Sequence, residues 1–510
     1  MKSYFSRLTS ILGSRRFCVA VIIFFIFEAV WIALSAAYPQ AFDEDFHFGI
    51  IKIYSHYWLP FLSSQPPNAN SFGAVARDPS YLYHYLMSFP YRLFAVFVHN
   101  QTSQIIFLRL INVGLFTSGI VLFRKVMLRA GLSRALTQLS ILLFALIPVA
   151  PQLAAHINYD NLLFPLIALS CILTFKVTDE LKNNKPNINS ILMLGIVCIL
   201  TTLVKYAFLP IFLSVVLFIA YMSYQNYRGQ WSKLPKNIWE SYKRQSKLIS
   251  ISLAILLAIS VGLFAQRDIV NLIKYHAIEP DCSAVLSVKQ CSAYSVWDSS
   301  YLWHQQVVAN TGKTAYDNPI IYTGLWIYYM WFRLFFAVSG VTNNYTNYPP
   351  LPLPSAAAAL LAIGGFLVII KWRKKVFNKN PYFGFFLIAS VFYLGALWID
   401  GYSQYKYTNV MVLENGRYLL PVLLLIAAMA GQAFSYELKK AAIWKSVLTI
   451  AVIVFFLEGG GVLTFITRSD PSWDWPSSSV VKVNNAARRI TKPVIIKGSK
   501  NYSTNMWLFN

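Results

Sequence analysis

Charge is scarce in this chain of 510 residues: Asp, Glu, Lys and Arg together supply 13% of it, and only 20 residues are acidic. Set against 56% hydrophobic residues, that scarcity excludes a soluble globular protein, because repeated apolar runs of about 20 residues need a bilayer. Cysteine is scarce as well. Three of the five (Cys18, Cys171 and Cys198) sit in apolar segments and read as small buried hydrophobes. No Gly-rich phosphate loop occurs, so no nucleotide cofactor is expected. No internal repeat, inverted or parallel, is visible, which counts against a secondary transporter. The N-terminal charges Lys2, Arg7, Arg15 and Arg16 precede an apolar run with no small-residue cleavage site, which reads as a retained anchor.

What the chain has in excess is basic charge, formally +24, and its distribution decides its meaning. Of the 44 Lys and Arg, 25 fall in six short segments between apolar runs. That is a topology signal under the positive-inside rule, and no nucleic-acid partner is expected. The sequence predicts an all-α polytopic membrane protein with 11 spans, N-terminus inside and C-terminus outside. Two large extracytoplasmic loops, 38–104 and 267–350, carry interfacial helices, and residues 1–466 form the membrane domain. The tail 467–510 lies outside and is placed to cap the outer face. The apolar stretch 191–224 is too long for one crossing and is broken near Lys205 and Pro210, giving two spans. Residues 320–336 read as an interfacial or re-entrant helix, since their Trp, Tyr and Arg are belt residues.

The candidate chemistry lies in the outer segments. In Phe42-Asp43-Glu44-Asp45-Phe46-His47-Phe48, a helix from Asp43 would bring His47 to the face that carries Asp43 and Glu44. Phe46, Ile50, Ile53, Tyr54 and Tyr57 would then rest at the headgroup level. Asp43 is the first candidate for a general base, with Glu44 beside it; helix capping by these acids is the bland alternative. Lys205, between apolar runs, and Arg417, at the mouth of the tenth span, suit a phosphate. Snorkelling of Lys205 and an Arg417–Glu414 salt bridge are the competing readings. His84 is a candidate sugar or phosphate contact. Asp160, in the short turn before the fourth span, either faces the same cavity or caps the next helix with Asn158. Arg109 is a weaker candidate. Glu28 and Glu458, inside predicted spans, should be paired or protonated. Asp43, Glu44, Asp45 and His47 offer ligands for a divalent metal, but no spacing is specific for one. Cys282 and Cys291 flank eight residues in the second outer loop and are expected to form a disulfide that braces it.

The acidic pair Asp43-Glu44 opening the first outer loop, with His47 after it, resembles the GT-C superfamily of multi-span glycosyltransferases. That class includes protein O-mannosyltransferases and aminoarabinose transferases. The stretch Asp78-Pro79-Ser80-Tyr81-Leu82-Tyr83-His84-Tyr85, Lys205 after the fifth span, and Gly416-Arg417-Tyr418 with Pro421 extend the resemblance. It implies a sugar delivered on a polyprenyl phosphate, with Asp43 activating the acceptor and Lys205 and Arg417 holding the departing phosphate. A lipid, glycan or protein acceptor in the cell membrane or envelope would follow. The chain departs from the class in lacking an appended soluble domain. Two rivals remain: a transporter or flippase of a lipid-linked saccharide, and an O-antigen ligase- or polymerase-like protein that works without Asp43.

Overall fold

Among the described residues, eight helices are long and apolar enough to cross a membrane by length and composition, and no strand occurs. The chain is therefore an all-α polytopic membrane protein. The structure, a computed structural model, describes residues 9–40, 42–309, 318–336, 338, 351–378, 380–438, 443–459 and 466–491. Its principal helices begin with α1 (Arg15–Ser35), α2 (Glu44–Tyr54), α3 (Leu82–Phe97), α4 (Gln101–Arg129), α5 (Arg134–Ala145) and α6 (Val149–Ala154). There follow α7 (Asp160–Lys182), α8 (Ile188–Val204), α9 (Leu209–Tyr227), α10 (Lys233–Arg244), α11 (Lys247–Phe264) and α12 (Ser295–Ala309). The last are α13 (Pro319–Phe332), α14 (Pro352–Phe377), α15 (Pro381–Thr408), α16 (Leu420–Glu437), α17 (Ile443–Val454) and α18 (Ser478–Thr491).

Helix α4 packs along α7 and α1, α8 packs on α7 and α11, and the C-terminal pair α15 and α16 closes the bundle against α9 and α5. The core is aromatic where α4, α5 and α7 meet. Phe116, Phe144 and Phe164 stack with centroids 4.5 to 6.1 Å apart, and Gly119 lets α7 approach, since a Cβ there would fall 2.4 Å from the Phe164 ring.

Eight of the predicted spans coincide with long helices. The third is broken into α5 and α6 around Pro148, and the fifth is α8, whose 17 residues reach about 25 Å. The eleventh is α17 and a following π turn, Phe455–Gly459; residues 460–465 lie outside the described residues. Helix α13, at 14 residues, is too short to cross about 30 Å of hydrocarbon by itself. The seventh predicted span, α11, does not end where the second loop is predicted to begin, at Arg267. It runs through a π turn, Ala265–Ile269, to Tyr275, because Arg267 is buried there, donating to the carbonyls of Val75 and Pro60 with Tyr81 under its guanidinium. That contact ties the two long connecting regions together at one end of the bundle.

Cys282 and Cys291 are disulfide-bonded with Cα atoms 5.8 Å apart, and the bridged segment packs against the turn Asn70–Phe72 of the first region. At the same end the described part of the tail pairs with the end of α1: Ala37 donates to Trp473 and Trp475 to Ser35. Arg488 and Asn484 both bind Asp474. Residues 492–510 of the tail, and 310–317, 337 and 339–350 of the second loop, lie outside the described residues. Glu458 is paired with Arg468, and Glu28 is buried within α1.

Candidate functional site

Helix α2 starts at Glu44, and both residues before it are left-handed, Phe42 at φ 64° and Asp43 at φ 63°. Two consecutive non-glycine residues in this region cost energy that the surroundings must repay. The repayment is visible: Asn158 Nδ2 donates to the Phe42 carbonyl (2.9 Å), and the buried Phe42 ring lies under Arg417 (4.9 Å). The turn swings Asp43 off the helix, so it neither caps α2 with its side chain nor shares a face with His47.

Arg417 Nη2 lies 2.9 Å from Asp43 Oδ2 and 3.1 Å from the Tyr418 hydroxyl. The Arg417 side chain is 4% exposed and Asp43 41%, so a buried cation holds a carboxylate that still meets solvent. The Arg417–Glu414 salt bridge, the competing reading for Arg417, does not form, because Glu414 binds Arg333 at 2.6 Å. Lys205 has not snorkelled. It sits extended at the break between α8 and α9, 2.7 Å from Asp160 Oδ1. Its ammonium faces the rings of Tyr159 (4.4 Å) and Tyr418 (5.3 Å). Tyr418 thus stands beside both cations, and Asp160 and Arg417 line one small cavity with Phe116, Leu420 and Pro421.

The Gly416-Arg417-Tyr418 turn depends on its glycine. A Cβ at Gly416 would lie 2.7 Å from the carbonyl carbon and oxygen of Arg333 and the amide nitrogen of Leu334. Backbone cannot yield as a side chain can, so Gly416→Ala is expected to cost about 1–3 kcal/mol and to displace Arg417. Thermal unfolding in detergent checks the first effect.

Glu44, the second carboxylate of the predicted pair, turns inward. It receives Arg109 Nε at Oε1 and Nη2 at Oε2, both at 2.7 Å. Gln40 and Ile157 amides add to it at 3.0 and 3.3 Å. Burial pushes its carboxyl up, but the Arg109 charge and hydrogen bonds outweigh that and hold it below the usual carboxylate range. Arg109 also donates to the carbonyls of Ala33, Ala36 and Ala37, fastening the end of α1.

His47 faces neither carboxylate. Its Nδ1 lies 2.8 Å from His84 Nε2 and its Nε2 3.0 Å from Asn158 Nδ2. Asn158 Oδ1 accepts from the Asp160 amide, so the amide NH₂ donates to His47 Nε2. The His47 proton is therefore on Nδ1, donated to His84. Burial depresses both imidazoles, His47 further by its neighbours His84, Arg417 and Lys205, and His84 to about 3. They form a neutral pair with Tyr159 edge-on at 4.5 Å from His47.

The expected headgroup-facing side of α2 is also corrected. Ile50 and Tyr54 are buried in the core, and Phe46 stacks on Tyr294 at 5.7 Å. An apolar stripe satisfied by α3 and the second loop looks the same in sequence as one satisfied by lipid. Asp43, Glu44, Asp45 and His47 diverge, and among the described residues no three His, Cys, Asp or Glu side chains could hold a metal ion.

Several groups of the site carried little sequence signal. Asn158 knots the Phe42 carbonyl, His47 and Asp160 together, and only its place in a polar turn between two apolar runs hints at this. Tyr159 and Tyr418 are two among 31 tyrosines. Glu279 is exposed at the protein surface. Desolvation by the protein around it, with Asp78 and Asp400 nearby, pushes it up toward about 7, against the opposing effects of Tyr206 and Lys205. No protein-family model matches the chain, and a search of curated proteins finds no match.

Proposed function

We propose that the chain is a membrane glycosyltransferase that moves a sugar from a polyprenyl-phosphate donor to a hydroxyl acceptor. The observation that carries this reading is the Asp43–Arg417 pair with Lys205 against the same Tyr418 ring. Two nearly buried cations beside a solvent-facing carboxylate form an anion seat adjoining a base. Asp43 takes the proton of the acceptor hydroxyl as its oxygen bonds to the sugar's anomeric carbon. The bond from that carbon to the phosphate oxygen breaks, and its electron pair goes to the phosphate. Negative charge grows on that leaving group in the transition state, where fixed cations help most. Arg417 supplies a fork and Lys205 a point charge. Glu44 is assigned a positioning role through Arg109, and His47 and His84, with Asn158, hold the wall beside Tyr159. Asp160 orients Lys205.

The proposal includes 11 crossings with the N-terminus inside, which puts the cluster at the extracytoplasmic end, in a cell membrane or its equivalent. It favours a transferase over a carrier because these groups gather at one end of the bundle, whereas alternating access needs polar groups near mid-membrane. The test is binding of a polyprenyl phosphate to purified protein in micelles. Lys205→Met and Arg417→Met are each expected to weaken it about tenfold or more, as loss of a charge-assisted contact of about 1.5–3 kcal/mol requires. Unchanged affinity in both variants would remove the anion seat.

Glu279 adds a pH dependence. As pH rises through about 7 its raised carboxyl is expected to ionise and to add a negative charge that Lys205 senses. Affinity for a glycosyl phosphodiester, whose own charge is constant over this range, is expected to fall as pH rises through about 7. Glu279→Gln should flatten that profile, and an identical slope in the variant would assign it to another group.

A further inference from the structure

Between the spanning helices α9 and α11 lies a segment that the proposed chemistry does not use. Helix α10 buries none of its residues. At about 3.6 residues per turn, Leu234, Ile238, Tyr242, Pro235 and Trp239 fall on one continuous arc. Lys233, Lys236, Lys243, Arg244 and the remaining polar residues fill the other. From Arg228 to Lys247 the chain carries six basic residues (Arg228, Lys233, Lys236, Lys243, Arg244, Lys247) and one acidic residue, Glu240. Glu240 is within 3.6 Å of Arg244, which leaves the segment strongly basic.

Its position is fixed covalently. Arg228 follows the last residue of one spanning helix and Lys247 opens the next, so α10 cannot leave the membrane boundary. It is held in place by Asn237, which donates to the Asn184 carbonyl in the α7–α8 turn (3.2 Å), and by contacts with α8 and α11. Leu234, Ile238 and Tyr242 are half-buried, Leu234 against the core, which leaves Pro235 and Trp239 (58% exposed), with Trp231 (48% exposed) just before the helix, as the uncovered apolar edge. Lys243 lies over the Trp239 ring at 5.6 Å, so a cation and an indole are presented together, as at a lipid headgroup boundary.

We propose that α10 is a binding surface for anionic phospholipid, with Trp231 and Trp239 set among the acyl chains and its basic arc collecting headgroup phosphates of that leaflet. Charge complementarity and the tether between two spans select a lipid surface over a protein partner. The probe is phosphatidylglycerol against phosphatidylcholine, offered to the full-length protein in mixed micelles, with retained lipid counted by native mass spectrometry. Wild type is expected to retain phosphatidylglycerol in preference, and increasingly so at low salt. The variant K233Q/K236Q/K243Q/R244Q should lose that preference by about tenfold or more, since each basic residue near an anionic leaflet contributes. In vesicles, brominated acyl chains should quench a tryptophan component that Trp231→Phe/Trp239→Phe removes. Equal phosphatidylglycerol retention by wild type and a folded variant would overturn the proposal. So would failure of brominated lipid to quench the component that Trp231→Phe/Trp239→Phe removes, a result that leaves every basic residue in place and that would indicate cover by protein or a second copy.

Discussion

Asp43→Asn is expected to lower sugar transfer by about 10²–10⁴-fold, the range for losing a positioned proton acceptor, while polyprenyl-phosphate affinity stays at the wild-type level or rises. The two readouts separate because the proposal gives Asp43 two roles. As the proposed base it would take a proton in the transition state; in the resting protein it occupies Arg417 Nη2 at 2.9 Å, where it would compete with an incoming phosphate. Asparagine retains an oxygen for the guanidinium but neither the charge nor the basicity. Arg417→Met should show the opposite split, with weaker binding. Single-turnover transfer and equilibrium binding on the same preparations distinguish them. Equal loss of binding and turnover in Asp43→Asn would indicate a structural role for the residue.

Arg109→Met is expected to produce the largest loss of stability of any single change at the site, about 3–5 kcal/mol, the cost of leaving a buried charge without its partner. Glu44 and Arg109 side chains are both 0% exposed, so water cannot replace the lost contact. Glu44→Met/Arg109→Met should recover part of the deficit but not all, because the carbonyls of Ala33, Ala36 and Ala37 lose their donor. The pair also sets an acid limit. Glu44 has a folded-state pKa below its unfolded value near 4.5, so its contribution is present above that pH and is lost as pH falls through the lowered folded pKa. Glu44→Gln should remove that part of the acid lability. Thermal unfolding across pH checks both statements, and a double variant destabilised by the full sum of the two single losses would show that the pair is not energetically coupled.

The helices and the break at Lys205 were legible because hydrophobic length and an isolated charge among apolar residues are local signals. So was the Cys282–Cys291 pair, set apart from three cysteines in apolar runs. Partner choice was not legible. Asp43 finds Arg417 across 374 residues and Glu44 finds Arg109 across 65, and no periodicity encodes either. The helical spacing that set His47 against Asp43 and Glu44 failed at one point, the left-handed conformation of Phe42 and Asp43. A phenylalanine there is unfavourable in isolation, and tertiary contacts, those of Asn158 and Arg417 among them, hold it. The α2 stripe was misread for a different reason: lipid and protein interior are equally apolar, so periodicity marks the buried side without saying what buries it.

The most direct measurement is transfer of labelled sugar from a panel of polyprenyl-phosphate donors to membrane extract, comparing reconstituted wild type with Asp43→Asn at matched folded yield. Transfer from at least one donor by wild type, lost in Asp43→Asn, is the expected result. Equal transfer by both proteins would move the chemistry away from Asp43. Donor binding without transfer from any donor would contradict the transferase reading and leave a carrier of the same lipid-linked saccharide.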